Sequence, residues 1–223
     1  MTDIARTDDI FYARTGMDPE RIGSRVDAAL DGADDGELFL EYNQSESITF
    51  DDGRVRNANF DTSQGFGLRA VSGEATGYAH STEMSEAAIT RAGDTVRAVR
   101  TGHGGTVADS PTGTNRDLYT DTNPLGEMAF EDKVALLSEI DAYARSSDPR
   151  VRQVTASLSG NWQAVQIVRA GGDRRADIRP LVRLNVSLMV GDGDRQETGS
   201  HGVGGRAIYD QWISPDKWHA QVD

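Results

Sequence analysis

The feature that most constrains this chain is the alternation of apolar and polar residues over 39–82. Successive side chains of a strand point to opposite faces, so alternation at period two predicts strands with one buried face. Two turn sequences, Asp51-Asp52-Gly53 and Ser72-Gly73-Glu74, interrupt the stretch and predict tight hairpins. The pattern therefore predicts a four-stranded meander, with strands over 38–50, 55–60, 65–71 and 76–81.

Helix signals flank the meander on both sides. Asp18 and Pro19 offer a capping side chain followed by a first-turn proline, and Ser85 can cap a second helix after the meander. The apolar stripes of the two helices are Ile22, Val26 and Leu30, then Ile89, Ala92, Val96 and Val99. We therefore expect an α+β unit over 17–100, in which helices cover one face of a sheet, behind a loose leader over 1–16.

The second half of the chain is predicted as a connector, a helix and further strands. Residues 101–126 are rich in Gly, Thr, Asp and Pro, which is typical of a surface connection. A helical stripe follows at Phe130, Val134, Leu137, Ile140 and Ala144. Apolar residues at period two from Val182 to Val190 predict the clearest strand of a second β-rich region within 127–223.

The end of the sequence carries its own signal. Ser214-Pro215-Asp216 predicts a helix start, yet the sequence ends at Asp223, and so short a helix is unstable alone. We expect 127–223 to lead into a further C-terminal domain and to leave apolar surface exposed around Trp212, Ile213 and Trp218.

Charge and cysteine content exclude several classes of function. The net charge of −13 disfavours binding to nucleic-acid phosphates and to anionic membrane surfaces. The chain has no cysteine, which leaves no disulfide and no thiolate ligand or nucleophile. Its first residues have no apolar core of a signal peptide, and no apolar run approaches the length of a membrane span. A cytoplasmic location is the expectation.

No catalytic or metal-binding motif is present in the sequence. The four histidines do not form H-E-x-x-H, which would place two imidazoles on one helical face beside a carboxylate. They are His80, His103, His201 and His219. G-x-S-x-G, the motif of a serine nucleophile, is absent as well. The chain itself is therefore predicted to bind no metal and to have no catalytic residues.

Glycines in or beside the predicted strands, together with Arg69, are the candidate substrate-binding residues. A strand glycine removes a side chain from the sheet face and allows another backbone to approach, as when a peptide adds to a sheet edge. The candidates are Gly65, Gly67, Arg69, Gly73 and Gly77 in the first β-rich region and Gly202, Gly204 and Gly205 in the second. The alternative is that these glycines only relieve packing and twist.

Four segments, in chain order, resemble the TldD/PmbA family of zinc metallopeptidases. The residues of one of them, QGFGLRAVSGEATG, resemble the TldD branch of that family. The four segments are ESITFDDG over 46–53, QGFGLRAVSGEATG over 64–77, DPRVRQV over 148–154 and HGVGGR over 201–206. The resemblance runs from about residue 20 to the end of the chain and covers the N-terminal portion of the family. It implies a TldD/PmbA N-terminal domain-like fold of antiparallel strands covered by helices.

The same resemblance implies a function for the intact protein. In this family a C-terminal domain holds zinc through an H-E-x-x-x-H helix and a later cysteine, and the N-terminal domain helps to enclose an unfolded peptide. TldD-type subunits pair with PmbA/TldE-type subunits. Because the sequence has neither the motif nor the cysteine, the family's catalytic residues cannot be assigned to any position.

Two hypotheses follow from the sequence. In the first, the chain is the N-terminal, substrate-enclosing and dimerising part of a TldD-like zinc peptidase, and is inactive by itself. In the second, it is a catalytically silent module that binds peptides or a partner. The second predicts that the 223 residues fold cooperatively alone, whereas the first predicts exposed apolar surface near the end of the chain.

Overall fold

A computed structural model of the chain describes residues 3–98, 105–106, 108–109 and 118–223. Helices and strands follow one another through these ranges, which confirms the α+β class. The α-helices are α1 (Asp3–Asp8), α2 (Pro19–Leu30), α3 (Glu86–Arg97), α4 (Phe130–Ser147) and α5 (Pro215–Val222). The strands are β1 (Asp35–Asp51), β2 (Arg54–Ser72), β3 (Ala75–Ser81), β4 (Val151–Val168), β5 (Arg174–Asp192) and β6 (Arg195–Gly205).

The strands form one sheet in the order β3-β2-β1-β4-β5-β6. Consecutive strands are neighbours within β1–β3 and within β4–β6, as in a meander, whereas β4 lies beside β1 and not beside β3. Both β2–β3 and β5–β6 pair antiparallel. The prediction of four strands in the first meander was wrong, because β2 runs unbroken from Arg54 to Ser72. The polar stretch 61–64 contains no glycine or proline to break the strand, and both of its faces are exposed.

The chain folds into two compact units. Of the described residues, those within 1–43, 63–118 and 163–178 form the first, and those within 44–62, 119–162 and 179–223 form the second. The long strands β1, β2, β4 and β5 each supply residues to both units. Each unit therefore combines segments that are far apart in sequence.

In the first unit, α2 and α3 begin where the sequence predicts. Asp18 Oδ1 accepts a hydrogen bond from the Arg21 amide at 2.9 Å, and Ser85 Oγ accepts one from the Ala88 amide at 3.1 Å. The predicted stripes are buried wherever the structure describes them, and Val99 lies outside the described residues. The two helices pack on each other, and α3 also packs on β3.

The prediction of a loose leader over 1–16 was wrong for its described residues. Residues 3–8 form α1, and a π-helical turn follows over Asp9–Ala13. Ile10, Phe11 and Tyr12 are buried there, and Tyr12 Oη donates a hydrogen bond to Gln166 Oε1 on β4 at 2.6 Å. The local sequence could not predict this contact, because Gln166 is 154 positions away.

In the second unit, α4 and α5 cover one face of the sheet. The core joins the apolar faces of β1, β4 and β5 to these helices and to a 3-10 turn over Tyr209–Gln211. Its buried residues are Ile48, Phe50, Leu137, Ile140, Ala156, Leu158, Val182, Leu184, Val186, Tyr209 and Trp218. Phe130, predicted in the helical stripe, is instead 50% exposed at the first turn of α4.

The expectation of exposed apolar surface near residue 223 was wrong. Trp218 on α5 is only 1% exposed, and Trp212 and Ile213 are partly buried against the core of the second unit. The ring of Trp218 meets Tyr143 of α4 edge to face, with 5.4 Å between ring centroids. Packing therefore stabilises a helix that is too short to be stable alone.

Two further expectations concern the connector and the membrane. The predicted connector over 101–126 lies largely outside the described residues, and Pro124–Gly126 at its end forms a 3-10 turn. Among the helices that the structure describes, none has the length and apolar character needed to cross a bilayer.

Candidate functional site

The structure places the eight candidate residues in different environments. In the first unit, Gly65, Gly67 and Arg69 lie on β2 with their side-chain positions facing away from α2 and α3, because the intervening Phe66 and Leu68 are buried. Gly73 lies in the β2–β3 turn with φ of +58°, a conformation that glycine adopts without strain. Gly77 lies on β3, where an added Cβ would be 2.9 Å from the Val96 carbonyl oxygen of α3.

The three candidates in the second unit also differ. Gly202 and Gly204 on β6 pair with Asn185 and Arg183 on β5, on the face away from α4 and α5. Gly205 faces the other way, and its Cβ position is 2.9 Å from the ring of Trp212. Close packing thus accounts for Gly77 and Gly205, and turn geometry accounts for Gly73. The assignment of the eight residues to substrate binding stays a prediction.

An aromatic groove opens on the first unit beside Gly65 and Gly67. Its volume is about 320 Å³. We define the aromatic groove by six of its lining residues: Phe39 and Glu41 of β1, Gly65 and Gly67 of β2, and Tyr78 and His80 of β3. Glycine is required at Gly65, since an added Cβ would lie 2.8 Å from the Ser81 carbonyl oxygen.

The side chains of the aromatic groove support one another. Tyr78 lies over Gly67, filling the place of its missing side chain, and stacks on His80 with 5.7 Å between ring centroids. Tyr78 is nevertheless 62% exposed. On the opposite wall, Glu41 Oε1 accepts a hydrogen bond from Gln163 Nε2 of β4 at 2.6 Å. The groove therefore presents aromatic rings on one side and an oriented carboxylate on the other.

Arg69 is engaged within the protein. Its guanidinium donates to Glu37 Oε1 at 2.7 Å and to Asp35 Oδ2 at 2.8 Å, both on β1. Hydrogen bonds to Glu37 and Asp35 outweigh partial burial and raise the pKa of Arg69 above its ordinary value. Burial acts to raise the pKa of Asp35, but the hydrogen bond and charge of Arg69, with Arg169, lower it. Arg69 thus neutralises acidic residues of β1.

A second groove, the arginine groove, lies in the second unit and is lined by residues of β1, β4, β5 and β6. Its volume is about 370 Å³. We define it by Ser45 and Glu46 of β1, Asn161 of β4, Leu181 and Arg183 of β5, and Gly204 of β6. Arg183 Nε donates to Asn185 Oδ1 at 2.7 Å, which orients the guanidinium, and both side chains extend over Gly202 of β6. Arginine with an exposed guanidinium suits carboxylate recognition.

Buried charges lie behind the arginine groove. Lys133 Nζ of α4 donates to Glu46 Oε1 at 2.6 Å and to the Leu125 carbonyl oxygen at 2.8 Å. Tyr209 Oη donates to the same Glu46 oxygen at 2.7 Å. Burial, and then the negative charge of Glu46, raise the pKa of Tyr209 far above its ordinary value. This cluster holds Glu46 and α4 in fixed positions.

Sequence reasoning missed this cluster, although one signal pointed to it. Lys133 lies four residues before Leu137 and seven before Ile140, so it shares their stripe, and a lysine in an apolar stripe requires a buried anion. Its partner Glu46 is 87 positions away and could not be identified from local pattern.

The described residues provide no zinc site. Among them, no three His, Asp or Glu side chains come together as a group that could hold a metal ion. His80 lies on β3, His201 on β6 and His219 on α5, while His103 lies outside the described residues. We therefore derive no catalytic step through a metal from this part of the chain.

Comparison with known families gives two matches in chain order. Residues 36–100 match domain 1 of the PmbA/TldA metallopeptidases, and residues 123–221 match the central domain of the same proteins. The two matched ranges include β1 to α3 and α4 to most of α5.

Individual relatives point to the same family. The chain is 36% identical to the metalloprotease TldD homolog of Haemophilus influenzae over 176 residues, covering 78% of this chain and 36% of that protein. It is 31% identical to the metalloprotease TldD homolog of Buchnera aphidicola from Schizaphis graminum. That match covers 82% of this chain and 38% of that protein. The chain therefore spans less than half the length of these relatives.

Solved structures support the fold. A Bacteroides thetaiotaomicron protein described as a proposed modulator of DNA gyrase superposes with a TM-score of 0.69 at 14% identity, covering 91% of this chain and 49% of its own. TldE from Thermococcus kodakarensis superposes with a TM-score of 0.58 at 14% identity, covering 89% and 45%. Since both domain matches and the relatives agree, this chain belongs to the TldD/PmbA family of metallopeptidases.

Proposed function

We propose that this chain supplies the substrate-enclosing and dimerising part of a TldD-like zinc metallopeptidase that hydrolyses small or unfolded peptides. The observation that carries the proposal is the match of two successive domains of one metallopeptidase family, over 36–100 and 123–221. In this proposal, zinc and the groups that activate water belong to other parts of the intact protein. The residues of this chain hold the peptide and contribute no catalytic step.

The two grooves supply the means of holding a peptide. Both are lined mainly by strand residues, and each lies within a single unit. In the arginine groove, Arg183 would bind a carboxylate of the peptide, and the exposed Leu181 would contact an apolar side chain. Binding through backbone and a few side chains suits unfolded peptides of varied sequence.

The proposal includes a partner and a location. We infer that the intact protein pairs with a PmbA/TldE-like subunit in the cytoplasm. Membership of a family that contains both TldD and TldE proteins supports the pairing. Co-expression of the intact protein with a TldE-like subunit, followed by size-exclusion chromatography, tests it, and separate elution of the two proteins at micromolar concentration would contradict it.

Peptide binding and cleavage by the 223-residue chain can be measured separately. A fluorescein-labelled unstructured peptide, followed by anisotropy, should bind the chain, and a quenched fluorogenic form of that peptide should stay uncleaved with or without added zinc. The variant Arg183→Gln should bind more weakly, whereas Arg195→Gln, which removes an exposed charge at the start of β6, should not. Cleavage that is abolished by a chelator would overturn the assignment of catalysis to other parts of the intact protein.

A second candidate function is a catalytically silent peptide- or partner-binding module. The burial of Trp218, together with the partial burial of Trp212 and Ile213, favours a chain that folds by itself, as such a module requires. Sequencing the gene beyond the codon for Asp223 distinguishes the two candidates. A frame that continues into H-E-x-x-x-H and a later cysteine supports the peptidase, and a stop codon at that point supports the module.

A further inference from the structure

We propose that the aromatic groove binds the basic side chain of a lysine or arginine in an extended peptide. The inference rests on the proposed function, because it names the class of peptide that the first unit would select. It concerns Phe39, Glu41, Gly65, Gly67, Tyr78 and His80, all of which lie in the first unit.

The rings of the groove suit a cation. The negative faces of aromatic rings attract ammonium and guanidinium groups. Tyr78 is held against β2 over Gly67 and is stacked with His80, yet 62% of its surface is exposed. Part of its ring packs over Gly67, and the exposed part is accessible to a ligand. Tyr78 and His80 of β3 thus make a preformed aromatic wall for the stem and the charge of a basic side chain, and Phe39 lines the groove from β1.

The carboxylate of Glu41 supplies the opposite charge. The hydrogen bond from Gln163 Nε2 fixes one of its oxygens and orients the group without neutralising it, because the amide is uncharged. The nearby cation on β2, Arg69, is paired with Asp35 and Glu37 and so does not compete for Glu41. The net charge of −13 further attracts basic peptides to the protein over long range.

The position of the groove also suits an extended chain. The pairing of β2 with β3 begins at Phe66 and Ser81, so residues 63–65 of β2 lie beyond the end of that ladder. Ser63, Gln64 and Gly65 line the groove at this point. A peptide that passes residues 63–65 of β2 would enter the groove that Tyr78 and Glu41 both line.

The test compares two labelled peptides that differ in a single charge. Both are capped at their ends and uncharged elsewhere; one carries a central lysine and the other a norleucine, which keeps the methylene stem without the ammonium group. Anisotropy titration of the full 223-residue chain should give about five- to thirty-fold tighter binding of the lysine peptide, the sum of one cation–π contact and one exposed ion pair.

Variants assign the preference to the groove. Glu41→Gln and Tyr78→Leu should each bring the affinity ratio of the two peptides towards one, while Tyr78→Phe, which keeps the ring, should preserve it. Glu74→Gln is the matched control, because it removes one exposed carboxylate in the β2–β3 turn outside the groove. Urea unfolding of each variant verifies that its fold is retained.

Each outcome decides the matter. Equal binding of both peptides by the unmodified chain would overturn the inference and leave the proposed peptide binding intact. A preference for lysine that persists when Glu41→Gln and Tyr78→Leu are combined would also overturn it, because the site would then lie elsewhere. If neither peptide binds, both the inference and the proposed function of this chain fail.

Discussion

The ammonium group of Lys133 is buried beside a carboxylate and a phenol, and its side chain is only 3% exposed. Lys133→Met should lower the free energy of unfolding by about 3–5 kcal/mol, because the Glu46 carboxylate would stay buried without its counter-charge. Urea denaturation followed by tryptophan fluorescence measures the change. Combining Lys133→Met with Glu46→Gln should cost less than Lys133→Met alone, since the unpaired charge is then removed.

The other lysine of the chain provides the control for this prediction. Lys217 is exposed on α5, and Lys217→Met should change the free energy of unfolding by no more than about 0.5 kcal/mol. Equal effects of the two lysine substitutions would show that the Lys133–Glu46 pair contributes nothing specific to stability.

Two tyrosines make the stability of the fold sensitive to alkaline pH. Burial raises the pKa of Tyr12 to about 12, and the positive charge of Arg174 only partly opposes it. Burial and Glu46 raise the pKa of Tyr209 as well. A phenol whose pKa is raised by folding stabilises the protein fully below pH 10, and that contribution disappears as the pH rises through the folded value.

We therefore expect the urea midpoint to fall as the pH rises from about 10 to 12. In the variants Tyr12→Phe and Tyr209→Phe the dependence should be weaker, although each variant starts from a lower stability because a buried hydrogen bond is lost. Tyr78→Phe serves as the control, because Tyr78 is 62% exposed. The same slope in all four proteins would contradict the role assigned to burial.

Single residues could be predicted from sequence only where the signal is local. The caps Asp18 and Ser85 make the predicted hydrogen bonds, because donor and acceptor are three residues apart. Arg69 was assigned to substrate binding, yet its partners Asp35 and Glu37 lie more than thirty positions away on β1. Its ion pairs arise from strand pairing, which no local pattern specifies.

At the scale of elements, α5 tests how much a short helix depends on its contacts. Trp218 supplies the buried side chain of this eight-residue helix and packs on Tyr143. Trp218→Ala should cost about 3–5 kcal/mol and release α5 from the second unit. Limited proteolysis within 206–223 should then proceed at a urea concentration at which the unmodified chain resists.

Ala220→Ser is the control for α5, because it changes an exposed position of the same helix. Its effect on the free energy of unfolding should stay within about 0.5 kcal/mol. If Trp218→Ala left both the proteolysis and the unfolding free energy unchanged, α5 would not depend on its tryptophan for docking.

Elements with strong periodicity were predicted well, and elements defined by distant partners were not. The stripes of α2 and α3 and the alternation of β5 repeat within one element, so the sequence alone shows them. The continuity of β2 through 61–64 and the helical structure of 3–13 depend on neighbouring strands and on Gln166. The boundaries of the predicted domains, 17–100 and 127–223, stay predictions.

At the scale of the whole molecule, two electrostatic effects oppose each other in acid. The net charge of −13 at neutral pH produces self-repulsion, and protonation of carboxylates first relieves it. Several carboxylates, however, are stabilised as anions by the fold. Hydrogen bonds from Thr155 and Gln153 lower the pKa of Asp51, and those from Arg150 lower the pKa of Asp148 to about 2.

Protonation of these hydrogen-bonded carboxylates lowers the free energy of unfolding, as the linkage between proton binding and folding requires. A carboxylate whose pKa is lowered by folding stabilises the protein above its unfolded pKa of about 4, and that stabilisation is lost as the pH falls through the folded value. Below pH 4 the protein also becomes strongly cationic, because the 23 lysines and arginines keep their charge while carboxylates are protonated. Both effects then act in the same direction.

We expect the urea midpoint to change little between pH 7 and 5 and to fall steeply between about pH 4 and 2. Adding 0.2 M sodium chloride should raise the midpoint at pH 7, where repulsion among acidic groups dominates, because salt screens exposed charges over about 8 Å. Thr155→Val, which removes the hydroxyl donor to Asp51, should shift the acid transition to higher pH. A midpoint that rises steadily down to pH 3 would mean that relief of the negative charge outweighs the loss of every hydrogen-bonded carboxylate.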